Sequence, residues 1–289
     1  MRIDGLTDHA CLIVSGPDQQ GIVAAMAALV ARHDGNIVSL DQHSTDPVGG
    51  DFFQRVVFHR PGLATALPAI EADLARTLEP FGMTWVLRDM SIPKRMAILA
   101  STEDHCLLDL LWRHRRGSLP VEIPMVISNH TRAAEDVRSF GVPFVHVPSQ
   151  PGPDKSAAEA EILRHLEGRV DFVVLARYMQ ILSADFLAKA AVPVINIHHS
   201  FLPAFIGANP YQKAKDRGVK LIGATAHYVT EDLDEGPIIE QDVARVTHAD
   251  STVELRRRGA DVERAVLSRA VLWHAQDRVI RHGNHTIVF

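Results

Sequence analysis

The chain has 289 residues, 46% hydrophobic and 22% charged, with a formal net charge of -5 and a pI near 6.3. Those values describe a soluble globular protein with room for one large domain or two ordinary ones. They argue against general binding to nucleic acid or membrane surfaces and leave a small anionic ligand open.

Cys11 and Cys106 stand far apart and form no metal or redox motif. The opening stretch MRIDGLTDHACLIVSG lacks the apolar core of a signal peptide, and no run approaches the roughly 20 apolar residues of a membrane span. A cytoplasmic protein with no membrane and no nucleic-acid partner is expected.

The first ninety or so residues read as an alternation of short elements. HACLIVSG, from His9, is a strand and SGPDQQG a turn, after which Ile22, Met26, Leu29 and Val30 recur at helical spacing, with Gly35 placed to end the helix. NIVSLDQHS and DFFQRVVFH are strands joined across TDPVGG. Leu67, Ile70, Leu74 and Leu78 mark a second amphipathic helix, and TWVLRDM a last strand. The order βαββαβ is the ferredoxin-like α+β arrangement.

The run DQQGIVAAMAALVARHDGNI, the Gly-rich turn and GDFFQRVVF together resemble the ACT family of regulatory domains. The resemblance implies a regulatory or oligomerisation unit over residues 7–90 and a homo-oligomer. It also implies an amino-acid site near the first strand-to-helix loop, here Asp18, Gln19, Gln20 and Gly21. Helix and turn capping by Asp18 and Asn36 is the competing reading, and both stay open.

From residue 94 to 289 the pattern changes. MAILAS, IPMVIS, PFVHVP, VDFVVLA and VPVINIH are short apolar strands alternating with helical stretches such as CLLDLLWRHRR and SAAEAEILRHLEG. That alternation predicts an α/β unit with a mostly parallel sheet covered on both faces, whose ligand sites lie at the carboxyl ends of the strands. KLIGATAHYVT and GPIIEQDVARV add two strands, and Val253 to Ile280 reads as a helical C-terminal region.

At the mouth of VPVINIH, strand alternation points Asn196 and His198 the same way, with Ile197 opposite; Pro203 and Gly207 shape the loop beyond. An amide can hold a developing oxyanion and an imidazole can exchange protons near neutrality. VTEDLDEGPII supplies four acids, Glu231, Asp232, Asp234 and Glu235, and spacing alone does not choose among them.

NIHHSFLPAF, GATAHYV and DLDEGPII, in that order, are similar to the pattern of the folate-dependent formyltransferase superfamily, which has a Rossmann-like fold. The resemblance assigns catalysis to Asn196, His198 and Asp234 and puts His227 near the site. It makes LARYMQILS the loop facing the pterin, with Met179, Gln180, Ile181 and Leu182 as substrate contacts. An ordinary core role competes for Met179, Ile181 and His227.

The stretch LASTEDHCLLDLL has no glycine and carries Glu103 and Asp104 where a phosphate-binding transferase loop would offer backbone N–H groups. Capping by Ser101 or Thr102 is its plain explanation, and either way a phosphate seat is missing. His199 stands where transferases commonly carry proline. A tRNA-directed transferase would need a further basic C-terminal domain.

The whole pattern, ACT-like then formyltransferase-like, resembles the formyltetrahydrofolate deformylase family. It implies hydrolysis of 10-formyltetrahydrofolate, which is the substrate, with no cofactor and no metal. Two other activities stay open: formyl transfer to an amine such as glycinamide ribotide, and amino-acid sensing with an inactive catalytic unit. Two other readings of single residues compete: a metal site from His198, His199 and Asp234, and Cys106 beside His105 as a nucleophile.

Overall fold

Helical and period-2 apolar patterns place the elements of the chain, and a computed structural model describes residues 3, 5–148, 155–203 and 210–289. Two units separate. One comprises Met1–Pro93 with Gln276–Ile280 and Ile287–Phe289, and the other Lys94–Ala275 with Arg281–Thr286.

The first unit runs β1 (His9–Pro17), α1 (Ile22–Arg32), β2 (Asn36–Ser44), β3 (Asp51–His59), α2 (Leu63–Leu78) and β4 (Thr84–Asp89). Its sheet is antiparallel in the order β2-β3-β1-β4, the ferredoxin-like topology. Leu12, Val14, Phe52, Val56 and Phe58 bury one sheet face against Ile22, Met26, Leu29, Ile70 and Leu74 of the two helices. On the other face Arg55 donates to the backbone carbonyls of Gln276 and Asp277, at 3.0 Å each.

Helix α1 ends differently from the sequence expectation. Asp34, not Gly35, takes the left-handed conformation at φ 56°. Gly35 follows it, and its N–H bonds the carbonyl of Val30 at 2.9 Å, the outer bond of a Schellman motif. Glycine is needed at 35 for space, because a Cβ there would lie 2.7 Å from Val30 Cγ1. The expected caps also differ. The N-cap of α1 is Gly21, and Asn36 opens β2 instead of capping anything.

The second unit continues with β5 (Lys94–Ala100), α3 (His105–Arg115), β6 (Val121–Ser128), α4 (Ala134–Ser139), β7 (Phe144–His146), α5 (Ser156–Leu166) and β8 (Phe172–Ala176). Then come α6 (Ala184–Ala190), β9 (Val194–His198), α7 (Pro210–Arg217), β10 (Leu221–Tyr228), β11 (Ile238–Arg245) and α8 (Thr252–Ala275). A hairpin of β12 (Val279–His282) and β13 (His285–Val288) follows, so the helical region expected through Ile280 stops at Ala275.

The seven-stranded sheet has the order β11-β10-β9-β8-β5-β6-β7. Strands β7, β6, β5, β8 and β9 are parallel, and β10 and β11 are added antiparallel at the β9 edge. The chain reverses its winding between β5 and β8, and at such a switch point loops diverge and leave a crevice at the carboxyl ends. Residues directly after β5, β8 and β9 therefore face one place. No helix among the described residues is long and apolar enough to cross a membrane.

Candidate active site

Strand β9 delivers Asn196 and His198 to that crevice, and the antiparallel pairing with β10 sets His227 opposite Asn196 and Thr225 opposite His198. Thr225 then pins the chain beyond the strand. Its buried hydroxyl donates to the carbonyl of Ser200 at 3.0 Å and accepts from the N–H of Leu202 at 3.0 Å. Pro203 is the last described residue of that loop, and Gly207 lies outside the described residues.

Of the four acids after β10, Glu231, Asp232 and Asp234 line the crevice, and Asp234 approaches the imidazole of His198. Asp234 Oδ1 lies 3.2 Å from His198 Nδ1. Its backbone is left-handed, φ 59°, a conformation aspartate tolerates better than most residues. The chain doubles back there because Gly236 sits against β10, where a Cβ would lie 1.9 Å from the carbonyl oxygen of Tyr228. The hydrogen bond from His198 holds the Asp234 carboxyl below its ordinary range, outweighing burial. Nε2 of His198 is buried and has no partner among the described residues.

His227 fixes the orientation of Asn196. Its Nδ1 is 3.0 Å from the carbonyl of Tyr228, which only accepts, so Nδ1 carries the proton. Burial lowers the pKa of His227 and keeps the ring neutral, which leaves Nε2 as an acceptor. Its neighbour at 3.3 Å is then the NH2 of Asn196. One N–H of that amide is held and the other is free to donate into the crevice.

A cavity of about 650 Å³ contains these groups. Met179, Gln180, Ile181 and Leu182 line it, as do Asn196, His198, His227 and Asp234. Met179 and Ile181 are 56% and 60% exposed, so neither is a core residue. Ser183 ends this loop by accepting from the N–H of Phe186 at 3.0 Å, capping α6. Glu103 also lines the cavity, while Asp104 is the N-cap of α3, so neither Ser101 nor Thr102 caps that helix.

The same cavity holds a polar group that the sequence reading missed. Glu263 of α8 is 2% exposed; its Oε1 accepts from the hydroxyl of Tyr211 at 2.6 Å, and its Oε2 lies 2.8 Å from His105 Nε2. Arg177 Nε stands 3.4 Å from Oε2. Burial would raise the Glu263 carboxyl, but the His105 bond, the Arg177 charge and Tyr211 hold it below its usual value. Burial, then the nearby Arg177, lowers His199 to about 4, so its ring is neutral at pH 7. A signal for Glu263 exists in the sequence: it shares an i, i+4 stripe with the buried Leu255, Gly259 and Leu267 of α8, where an acid is out of place.

Comparison with known proteins gives the family of each part of the chain. The formyl transferase family matches residues 94–271 and the ACT domain family residues 12–75. A formyltetrahydrofolate deformylase of Mycobacterium tuberculosis is 60% identical over 283 residues, covering 98% of this chain and 91% of that protein. The chain belongs to the formyltetrahydrofolate deformylase family. A crystal structure of a formyltetrahydrofolate deformylase from Pseudomonas syringae pv. tomato superposes with a TM-score of 0.93 at 46% identity, covering 97% of this chain and 94% of that one. A glycinamide ribonucleotide transformylase from Symbiobacterium toebii reaches a TM-score of 0.64 at 32% identity, and covers 68% of this chain and 94% of its own.

Within this deformylase-family chain the two competing site readings change. The side chains spaced to hold a metal ion among the described residues are His105, Cys106 and Glu263, not His198, His199 and Asp234. Cys106 is buried and its thiol is pushed well above the ordinary value, first by burial and then by the Glu263 charge, so it is no nucleophile at neutral pH. In the first unit, Asp18 donates its N–H to Gly50 at 2.8 Å and Gln19 its side-chain amide to Phe81 at 2.7 Å, while Gln20 and Gly21 are exposed.

Proposed function

We propose that the chain hydrolyses 10-formyltetrahydrofolate to formate and tetrahydrofolate, with Asn196, His198 and Asp234 as the catalytic groups. The observation that carries this is the His198–Asp234 pair at 3.2 Å beside an Asn196 whose amide is locked by His227. The formyl oxygen sits between the free N–H of Asn196 and Nε2–H of His198, and the pterin lies along Met179, Gln180, Ile181 and Leu182, with His227 behind Asn196.

Water adds to the formyl carbon, and the carbonyl electrons pass to an oxyanion held by those two donors. Asp234 keeps the imidazole oriented through Nδ1 and accepts a hydrogen bond from the incoming water. The oxyanion collapses and the C–N10 bond breaks; one proton of the water goes to N10, the other is released to solvent, and formate leaves. All atoms come from water and the folate, so the scheme needs no cofactor and no metal.

Transfer to glycinamide ribotide is less favoured. Glu103 lines the cavity where a transferase loop would offer backbone N–H groups, so a phosphate there would meet a carboxylate. The division of labour follows the sequence: residues 7–90 form the ACT-like regulatory or oligomerisation unit and 94–289 the catalytic one. An amino acid would bind at Asp18 to Gly21 in a cytoplasmic homo-oligomer that supplies formate and free folate to one-carbon and purine metabolism.

The deciding experiment measures formate release from 10-formyltetrahydrofolate, with and without glycinamide ribotide, for the parent chain and Asp234→Asn. Formate without the ribotide, abolished by the substitution, is expected. Formyl appearing only on the ribotide would overturn the hydrolase reading, and no turnover in either case would favour a sensor.

A further inference from the structure

The proposed chemistry does not use His199, yet this residue lines the cavity together with Asn196, His198 and Asp234. Strand alternation would not put it there, because the neighbour of His198 along a strand points to the other face. Strand β9 ends at His198, however, and the chain bends through residues 199 and 200. The two antiparallel strands hold the bend. The buried Thr225 hydroxyl of β10 spans Ser200 and Leu202. The Gln241 side-chain amide of β11 donates to the Leu202 carbonyl at 3.1 Å and to Thr225 Oγ1 at 2.9 Å. Both imidazoles therefore face the cavity, with ring centroids 5.3 Å apart.

The His199 ring also meets Tyr211, at 6.2 Å between centroids. Tyr211 is fixed by its bond to Glu263 and by its seat on α8, where Gly259 leaves no room for a Cβ beside the hydroxyl. Arg177, left-handed at φ 61° directly after β8, brings a positive charge to the same place. Burial and that charge keep the His199 ring neutral at pH 7. A neutral imidazole offers one N–H and one lone pair.

An attacking water turns a lone pair toward the formyl carbon, and its two O–H groups are then directed by two acceptors. Asp234 is one in the proposed scheme. Most other polar groups of the cavity are committed. Asn196 and His198 donate to the oxyanion, Nε2 of His227 is taken by Asn196, and the Glu263 oxygens are taken by Tyr211 and His105. No hydrogen bond among the described residues claims a ring nitrogen of His199.

We propose that His199 is the second acceptor for the attacking water, so that Asp234 and His199 together aim it at the formyl carbon. This rests on the hydrolase reading of Asn196, His198 and Asp234. The O–H held at Asp234 supplies the proton that goes to N10, and the O–H held at His199 supplies the one that ends in solvent. The new C–O bond and the broken C–N10 bond then leave formate and tetrahydrofolate.

His199→Leu removes the acceptor and keeps a side chain of similar bulk, whereas His199→Asn returns an acceptor oxygen. Formate release from 10-formyltetrahydrofolate gives kcat, and equilibrium binding of tetrahydrofolate gives the folate affinity. In His199→Leu kcat should fall by about 10²-fold with the affinity kept, as when a reacting group loses its orientation. His199→Asn should be at least about 10-fold faster than His199→Leu, a recovery that space filling alone does not produce.

If His199→Leu does not fold, His199→Phe takes its place, keeping an aromatic ring beside His198 and Tyr211. A folded Leu or Phe variant as fast as the parent chain would overturn the proposal. So would an Asn variant no faster than the variant lacking an acceptor. If the parent chain itself released no formate, the hydrolase reading would fall and this proposal with it, so the two failures are distinct.

Discussion

Gly259→Ala reverses the usual sign of a helix substitution. In the interior of α8, alanine should be favoured over glycine by about 1 kcal/mol on propensity. The new Cβ, however, would lie 1.9 Å from the Tyr211 hydroxyl oxygen and 2.3 Å from Cζ, so the ring must withdraw by more than an ångström. Withdrawal breaks the 2.6 Å bond from Tyr211 to Glu263. A hydrogen bond to a charged group contributes about 1.5–3 kcal/mol, and displacing a packed ring costs about 1 kcal/mol more. Subtracting the propensity gain leaves a net loss of about 2 kcal/mol. Urea unfolding of the full chain measures this, with Tyr211→Phe and the double variant closing a cycle. The Gly259→Ala penalty should shrink in the Phe background, where the oxygen is absent. A Gly259→Ala chain as stable as the parent, or more so, would refute the claim that the glycine exists to admit Tyr211.

Other outcomes follow from the same geometry. Asn196→Ala should lower kcat by about 10²–10³, the usual loss for one oxyanion donor, while folate binding measured directly stays near the parent value. His227→Phe removes the acceptor that orients the Asn196 amide; kcat should fall by up to about 10²-fold with KM little changed, and an equal rise in KM would argue against a positioning role. His199 carries a stability signature. Its pKa is lowered from 6.5 to about 4, so between those values the unfolded chain binds the proton and the native chain does not. Stability should therefore decline as pH falls through that window, by up to about 3 kcal/mol, and His199→Asn should flatten that part of the urea-midpoint profile. Asp234 acts in the same direction at lower pH: its depressed carboxyl adds stability above the unfolded aspartate value, lost as pH falls through the folded one. Asp234→Asn should remove that contribution.

Local signals carried much of this molecule. The order of elements in the first unit followed from helical and period-2 spacing, because each apolar residue there packs on one sheet face or one helix stripe. Strand alternation likewise put Asn196 and His198 on one side. What escaped the sequence reading depends on contacts made only after folding. Spacing left four acids open and the family resemblance named Asp234; its 3.2 Å approach to His198 comes from a left-handed turn and the contact of Gly236 with Tyr228. Arg177, Tyr211 and Glu263 lie on separate elements and meet only when α8 packs over the sheet. The last turn of the expected C-terminal helix was lost for another reason: the short apolar run around Ile280 fits a helix and a strand equally well, and the structure makes it β12.

The left-handed backbone at Arg177 has an evolutionary consequence. Every codon for arginine is a single base change from one for glycine, and the main chain at this position accommodates glycine without adjustment. Most changes that open a cavity carry a stability cost that selection removes before a new activity can be tried. Here glycine would relieve backbone strain but leave the buried Glu263 without the cation 3.4 Å away, and removing one partner of a buried pair costs about 3–5 kcal/mol. Arginine is therefore held at this position by the charge it faces and not by the main chain.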